Sequence, residues 1–165
     1  MPIVNAFTSI GAYAVLIMSG LKRVENRSCL PVPVRGRCAM SVSKKFCRKE
    51  YDGVKSWLTR FNGDRINNLL PPWDIAQKWP GRIIAVMDYE AIEGEIEDDT
   101  WRVQFQYWNE GYRYWWRLSN IRKLPTPILC RGNVGMWKLP RSLSDSIETQ
   151  IPDNLQAHYE RRVCK

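Results

Sequence analysis

The sequence predicts a single α+β domain, in which five or more strands close into a small barrel with two or more helices beside it. A length of 165 residues suits one domain, and a hydrophobic fraction of 44% suffices for a core. Segments with strand-like alternation outnumber the helical ones. We place the domain at residues 1–140 and expect residues 141–165 to be a C-terminal extension, packed on the domain or trailing from it.

Five elements are predicted before residue 90. Residues 11–19 form a short apolar helix, and Gly20 follows at the position where a left-handed residue ends a helix. Pro31 and Pro33 interrupt the strand pattern and mark a loop. The remaining elements are strands over residues 22–28, 37–43 and 82–87, and a helix over residues 44–61 with an apolar stripe in its second half.

The clearest local pattern predicts a β-hairpin. Residues 101–108 and 112–119 both alternate, and the Asn-Glu-Gly sequence at 109–111 suits a three-residue turn. Trp115 would lie on the solvated face between two arginines, where it could stack on a base. The core face would carry Trp101, Val103, Phe105, Tyr107, Tyr112, Tyr114, Trp116 and Leu118.

Two further segments are predicted to be largely irregular. The acidic run over residues 90–99 is expected to be a solvated loop. Residues 124–139 contain Pro125, Pro127 and Gly135 and are expected to be loop and short strand.

The charge distribution favours an anionic partner. The net charge is +8, with a pI near 9.4. Residues 1–50 hold nine Lys and Arg against two acids, whereas residues 85–100 hold seven acids and no base. A polyanion would release counterions on binding such a surface. A basic pI also simply keeps a small protein soluble, so composition leaves both interpretations open.

Cysteine and histidine placement gives no sign of a metal site. The five cysteines form no CxxC pair, and the one histidine, His158, lies in the basic tail. We therefore expect free thiols in a reducing cytoplasm, no metal and no cofactor. No window approaches 18 uninterrupted apolar residues, so we expect a cytoplasmic protein that is neither exported nor membrane-bound.

One segment matches a known family signature. Residues 20–27 read GLKRVENR and fit the pattern GxKxxExR of ASCH domains, the activating-signal-cointegrator homology family. The helix before this motif resembles the helix that leads into it in the family. The later segments that resemble family elements, in the right order, are residues 35–37, 42–44, 81–88, 116–122, 127–132 and 135–137.

The resemblance covers about residues 10–140 and implies a PUA-like β-barrel, a fold that recurs in RNA-binding and modified-base-reading proteins. One branch of small ASCH proteins removes the acetyl group of N4-acetylcytidine, using the motif lysine and a threonine three residues on. This chain has Glu25 at that position, which argues against deacylation by the same route. It also has Cys29 where the family often has an aromatic residue.

Three charged residues of the motif are expected to meet at the barrel mouth. Glu25 and Arg27 are two residues apart on a strand and so point the same way, and Lys22 approaches from the helix-to-strand turn. These residues could bind a ligand, act in catalysis, or form a buried pair that pins the helix to the barrel. The candidate nucleic-acid-binding residues are Lys22, Glu25, Arg27, Tyr13, Ser43, Lys44, Lys45, Arg131 and Trp137.

Three functions are compatible with these observations. The first is binding of RNA or a modified nucleotide. The second is hydrolysis of single-stranded RNA, with Lys22 and Glu25 as the catalytic residues and Arg27 or Lys44 stabilising the transition state. The third is a protein-interaction factor, for example a phage or mobile-element inhibitor of a nucleic-acid-handling complex.

Overall fold

The computed structural model describes residues 3–62, 69–94, 101, 108 and 113–151. Six strands and four helices are defined within these residues, which confirms the α+β class. Their order is β1 (Asn5–Ser9), α1 (Gly11–Met18), β2 (Val24–Arg27), β3 (Arg35–Val42), α2 (Arg48–Asn62), α3 (Trp73–Ala76), β4 (Arg82–Glu93), β5 (Tyr114–Leu129), β6 (Met136–Lys138) and α4 (Arg141–Gln150).

The six strands form one sheet in the order β2-β5-β4-β3-β1-β6, curled into a half-barrel. β1 runs parallel to β3, and the other neighbours are antiparallel. As a result the C-terminal ends of β1, β3 and β5 and the N-terminal end of β4 lie at the same end of the sheet.

Each face of the sheet has its own core, because successive side chains of a strand point to opposite faces. Phe7 lies in a cluster with residues of α1, α2 and α3, and this side is called the α1 face. Ala6 lies in a second cluster with Ile147 of α4, and this side is called the α4 face. Burial on both faces explains why residues 83–87 of β4 form an uninterrupted apolar run.

Several sequence predictions are confirmed. The first helix ends where expected, with Gly20 at a φ of 75°. β2 and β3 overlap the strands predicted over residues 22–28 and 37–43, and β4 contains the one predicted over residues 82–87. The predicted second helix corresponds to α2, which begins four residues later than expected.

The predicted hairpin is not formed by the residues that the structure describes. Tyr114–Arg117 of β5 pair with β2 on one side and with β4 on the other, so no edge remains for residues 101–108. Trp101 and Trp108 are helical, not extended, and residues 102–107 and 109–112 lie outside the described part of the chain. Trp115 is 1% exposed, so its expected stacking on a base is wrong.

Two segments expected to be irregular contain more regular structure. Glu90–Glu93, the start of the acidic run, continues β4 because these residues pair with Tyr114–Arg117, while residues 95–99 lie outside the described residues. β5 extends to Leu129, well into the segment that was expected to be loop and short strand. In the predicted extension, α4 packs Ile147 and Ile151 on the α4 face.

Two glycines provide a matched test of the packing around α1. A Cβ placed on Gly11 would lie 2.0 Å from Cγ of Phe46 and 2.3 Å from its Cβ, whereas one on Gly53 would meet nothing within 4 Å. We therefore expect Gly11→Ala to lower the free energy of unfolding by about 1–3 kcal/mol. Gly53→Ala, in the exposed interior of α2, should raise it by up to about 1 kcal/mol. Urea denaturation of both variants checks this, and equal effects would contradict the packing.

Candidate functional site

The three charged residues of the motif form one buried network. The Lys22 side chain is 0% exposed, and its Nζ donates to the carbonyl of Val24 and lies 3.5 Å from Oε2 of Glu25. The other carboxylate oxygen of Glu25 is 2.9 Å from Nη2 of Arg27. One carboxylate therefore holds two cations and joins the turn after α1 to β2.

Lys22 lies in an aromatic environment. Its Nζ is 4.7 Å from the ring centroid of Tyr13 and 5.7 Å from that of Trp108. Burial lowers the pKa of Lys22 below its ordinary value of 10.5; Glu25 opposes this shift and Arg27 adds to it. The amine is enclosed by protein groups. A catalytic function for Lys22 or Glu25 stays a prediction.

Arg27 is the member of the network that reaches the surface, with 16% of its side chain exposed. Its guanidinium lies over the rings of Phe7 and Trp116, with Cζ at 5.4 and 5.1 Å from their centroids. Nη2 also donates to the carbonyl of Thr8 at 3.2 Å. Nε is buried and has no hydrogen-bond partner among the described residues. Arg27 is thus held in one orientation with a donor still unused.

Two hydroxyl groups of β1 and β3 lie near the Thr8 carbonyl that Arg27 contacts, but their side chains point to the α4 face, with Ala6 and Ala39. Thr8 Oγ1 and Ser41 Oγ are 2.9 Å apart, at paired positions of these parallel strands. Gly132 lies directly over both, because a Cβ on it would be 2.5 Å from Thr8 Oγ1 and 3.1 Å from Ser41 Oγ. Arg131 is exposed and is placed at this end of the sheet by its glycine neighbour.

The segment that follows β3 completes the same end of the sheet. The backbone N–H of Ser43 donates to the carbonyl of Ser9 at 2.9 Å, and Ser43 Oγ accepts from the N–H of Lys45 at 3.3 Å. Lys44 extends over Gly81, since a Cβ there would lie 3.1 Å from its Cγ. Both lysines are exposed. We call the assembled group the mouth; it consists of Thr8, Arg27, Ser41, Ser43, Lys44, Lys45, Arg131 and Gly132.

Two candidate residues lie outside the mouth. Trp137 of β6 pairs with Ala6, two residues before Thr8, and packs against the core of the α4 face. Tyr13 lies on α1 beside Lys22, below the mouth. The sequence analysis missed Thr8 and Ser41, although the alternation of residues 3–9 could have indicated β1.

Among the residues that the structure describes, no group of three or more His, Cys, Asp or Glu is placed to hold a metal ion. None of the described helices is long and apolar enough to cross a membrane.

The shared carboxylate predicts a strong effect of Glu25→Gln. Removing its charge leaves two cations inside the protein without a counter-charge, which costs about 3–5 kcal/mol of unfolding free energy. Adding Lys22→Met to that variant should restore part of the loss, because it removes one of the two stranded charges. Denaturant unfolding of the wild type, both single variants and the double variant measures this coupling. Additive effects would contradict the network.

The lowered pKa of Lys22 also predicts a pH dependence. In the window between that lowered pKa and 10.5, the folded protein loses the Lys22 proton before the unfolded chain does. The free energy of unfolding of the wild type should therefore rise with pH relative to that of Lys22→Met. Denaturant unfolding of both proteins at a series of pH values up to 10.5 tests this prediction. A difference in the free energy of unfolding that stays constant with pH would show that the amine is not desolvated.

Comparisons with known proteins bear on the fold. No family model and no curated protein matches the chain. Among solved structures, the ASCH protein of Zymomonas mobilis matches with a TM-score of 0.50 at 13% identity, covering 88% of this chain and 93% of that one. The chain therefore has the fold of an ASCH domain, which confirms the PUA-like architecture and the resemblance that predicted it.

Proposed function

We propose that this chain binds RNA or a modified nucleotide at the mouth, with Arg27 as the central contact. The observation that carries the proposal is the state of this arginine. Its guanidinium is fixed by Glu25 and by two aromatic rings, yet it keeps an unused buried donor and an exposed edge. A guanidinium fixed in this way is suited to carbonyl or phosphate oxygens.

The other groups of the mouth fit the same ligand class. Thr8 supplies a half-buried hydroxyl group, held by the buried hydroxyl of Ser41, and such a group donates to or accepts from bases and ribose. Lys44, Lys45 and Arg131 supply exposed positive charge, and the mouth contains no acidic residue. Positive charge around a polar recess favours a ligand that combines a base with phosphate. RNA binding by other PUA-like proteins supports this interpretation.

Lys22 and Glu25 have a positioning function in this proposal. Their side chains are 0% and 7% exposed, so the ligand contacts Arg27 while these two residues fix it. Hydrolysis would require Lys22 or Glu25 to reach a substrate, and their burial favours binding over that alternative. No observation specifically favours a protein-interaction factor.

The proposal is tested by binding of short single-stranded RNAs, plain and base-modified, measured by fluorescence anisotropy at two salt concentrations. We expect Arg27→Lys to weaken binding about 10-fold or more, because lysine keeps the charge but loses the planar fork of donors. Arg131→Gln should weaken binding less and reduce the salt slope by about 0.7.

Arg141→Gln is the matched control, because Arg141 is equally exposed but lies on α4, away from the mouth. It should bind like the wild type. Equal losses in Arg131→Gln and Arg141→Gln would mean that only net charge matters, and RNA binding that survives Arg27→Lys unchanged would remove the mouth from the proposal. Gel analysis of the same samples detects cleavage, which would favour the hydrolase alternative.

A further inference from the structure

A second concave surface lies at the other end of the sheet. It is a cleft of about 630 Å³ between β3, β4 and β5. We call it the arginine cleft; it is lined by Arg35, Gly36, Arg37, Asp88, Tyr89, Glu90, Arg117 and Ser119. Arg35 begins β3, whereas Ser43, Lys44 and Lys45 of the mouth follow the last residue of that strand. Arg27 lies over Trp116 on the α1 face, whereas Arg117, the next residue of β5, points to the other face.

The polar side chains of the cleft belong to the α4 face. Arg37 lies two residues before Ala39, whose side chain is in the core of that face. Met87 and Tyr89, the neighbours of Asp88, are both in the core of the α1 face, so Asp88 points the other way. α4 covers the part of this face around Ala39, and the charged residues of the cleft lie beyond the part that α4 covers.

Two cross-strand rows organise these charges. Glu90 is paired with Arg35 on one side and with Arg117 on the other. In the next row Asp88 is paired with Arg37 on one side and with Ser119 on the other.

Both carboxylates of the cleft are already engaged. Asp88 lies 3.4 Å from Nε of Arg37 and accepts a hydrogen bond of 2.6 Å from Nδ2 of Asn120. Glu90 is ion-paired with Arg117. The carboxylates therefore orient two guanidinium groups and have little capacity left for a third cation.

Arg35 is that third cation. It is exposed, and within the described ranges it has no ion pair or hydrogen bond through its side chain. Three guanidinium groups thus face two carboxylates, leaving one positive charge uncompensated. At Ser119 the cleft adjoins a second recess of about 580 Å³, which adds Arg23 and Lys123 and no acidic residue. The excess of positive charge grows along this path.

We propose that the arginine cleft is a phosphate-binding site separate from the mouth. Arg35 supplies the free guanidinium, Arg37 and Arg117 supply positive charge held in place by Asp88 and Glu90, and the Ser119 hydroxyl supplies a neutral donor. Planar guanidinium groups bind phosphate oxygens through two parallel hydrogen bonds. The phosphate belongs either to the backbone of an RNA strand or to a free nucleotide, and the experiment distinguishes these sources.

The first arm uses inorganic tripolyphosphate and NMR of the arginine Nε–Hε groups, and it does not depend on the function proposed for the mouth. We expect titration to shift the signals of Arg35, Arg37 and Arg117, and Arg35→Gln to weaken the binding about 10-fold. Arg60→Gln, an equally exposed arginine in the last turn of α2, is the control and should bind like the wild type. No shift in the cleft, or equal losses in the two variants, would overturn the proposal.

The second arm identifies the source of the phosphate. For an RNA strand, Arg35→Gln should weaken binding of a 12-nucleotide RNA several-fold and reduce its salt slope by about 0.7, with mononucleotide binding unchanged. For a free nucleotide, mononucleotide binding should fall while RNA binding is unchanged. If neither falls, the cleft binds no nucleotide phosphate and the proposal is wrong. Arg27→Lys, measured in parallel, reports on the mouth alone, so failure of one site is distinguishable from failure of the other.

Discussion

Glu25 shares one carboxylate between two cations inside the protein, and the position of Arg27 depends on that sharing. Without Glu25 the charge of Lys22 would be buried and unpaired, because its amine lies among Tyr13, Trp108 and the carbonyl of Val24. Arg27 in turn is fixed between Phe7 and Trp116. Replacing one member of such a network costs more than replacing all of it, because a remaining charge stays buried.

Burying these charges costs desolvation energy, but it fixes the orientation of Arg27 when the protein folds. An arginine on a free surface loses side-chain entropy when it binds a ligand, whereas Arg27 has already lost most of it on folding. The loop at Gly132 approaches Thr8 and Ser41 so closely that no side chain fits at that position. The buried network and this close loop together give the mouth a fixed shape.

The two faces of the sheet differ in whether their charged side chains are buried or solvated. On the α1 face, charge is buried in one network and reaches solvent only at Arg27. On the α4 face, α4 covers the apolar half and leaves a solvated half with cross-strand arginine–carboxylate pairs. Pairs of this kind add little to stability in water, so their effect is mainly to orient guanidinium groups. The sheet thus places arginines with different degrees of freedom on its two faces.

Local sequence patterns determined the elements whose hydrogen bonds or burial are set by near neighbours. They predicted α1 with its glycine end, the cores of β2, β3 and β4, and the meeting of Glu25 with Arg27 two residues apart on a strand. The same reasoning failed for the hairpin, because strand pairing is a choice among all available edges. β5 is paired with β4, the preceding strand, and with β2, which lies far from it in the sequence.

The tertiary structure alone decided which residues meet at the mouth. Thr8 and Ser41 are 33 residues apart, and Gly132 follows them by some ninety more; only the parallel pairing of β1 with β3 brings them together. Packing also decided that Arg27 reaches the surface while Lys22 and Glu25 are enclosed, which the residue types alone do not show. The sequence determined the chemistry of the motif, whereas the packing of α1 and its aromatic neighbours decided which of its charges can meet a ligand.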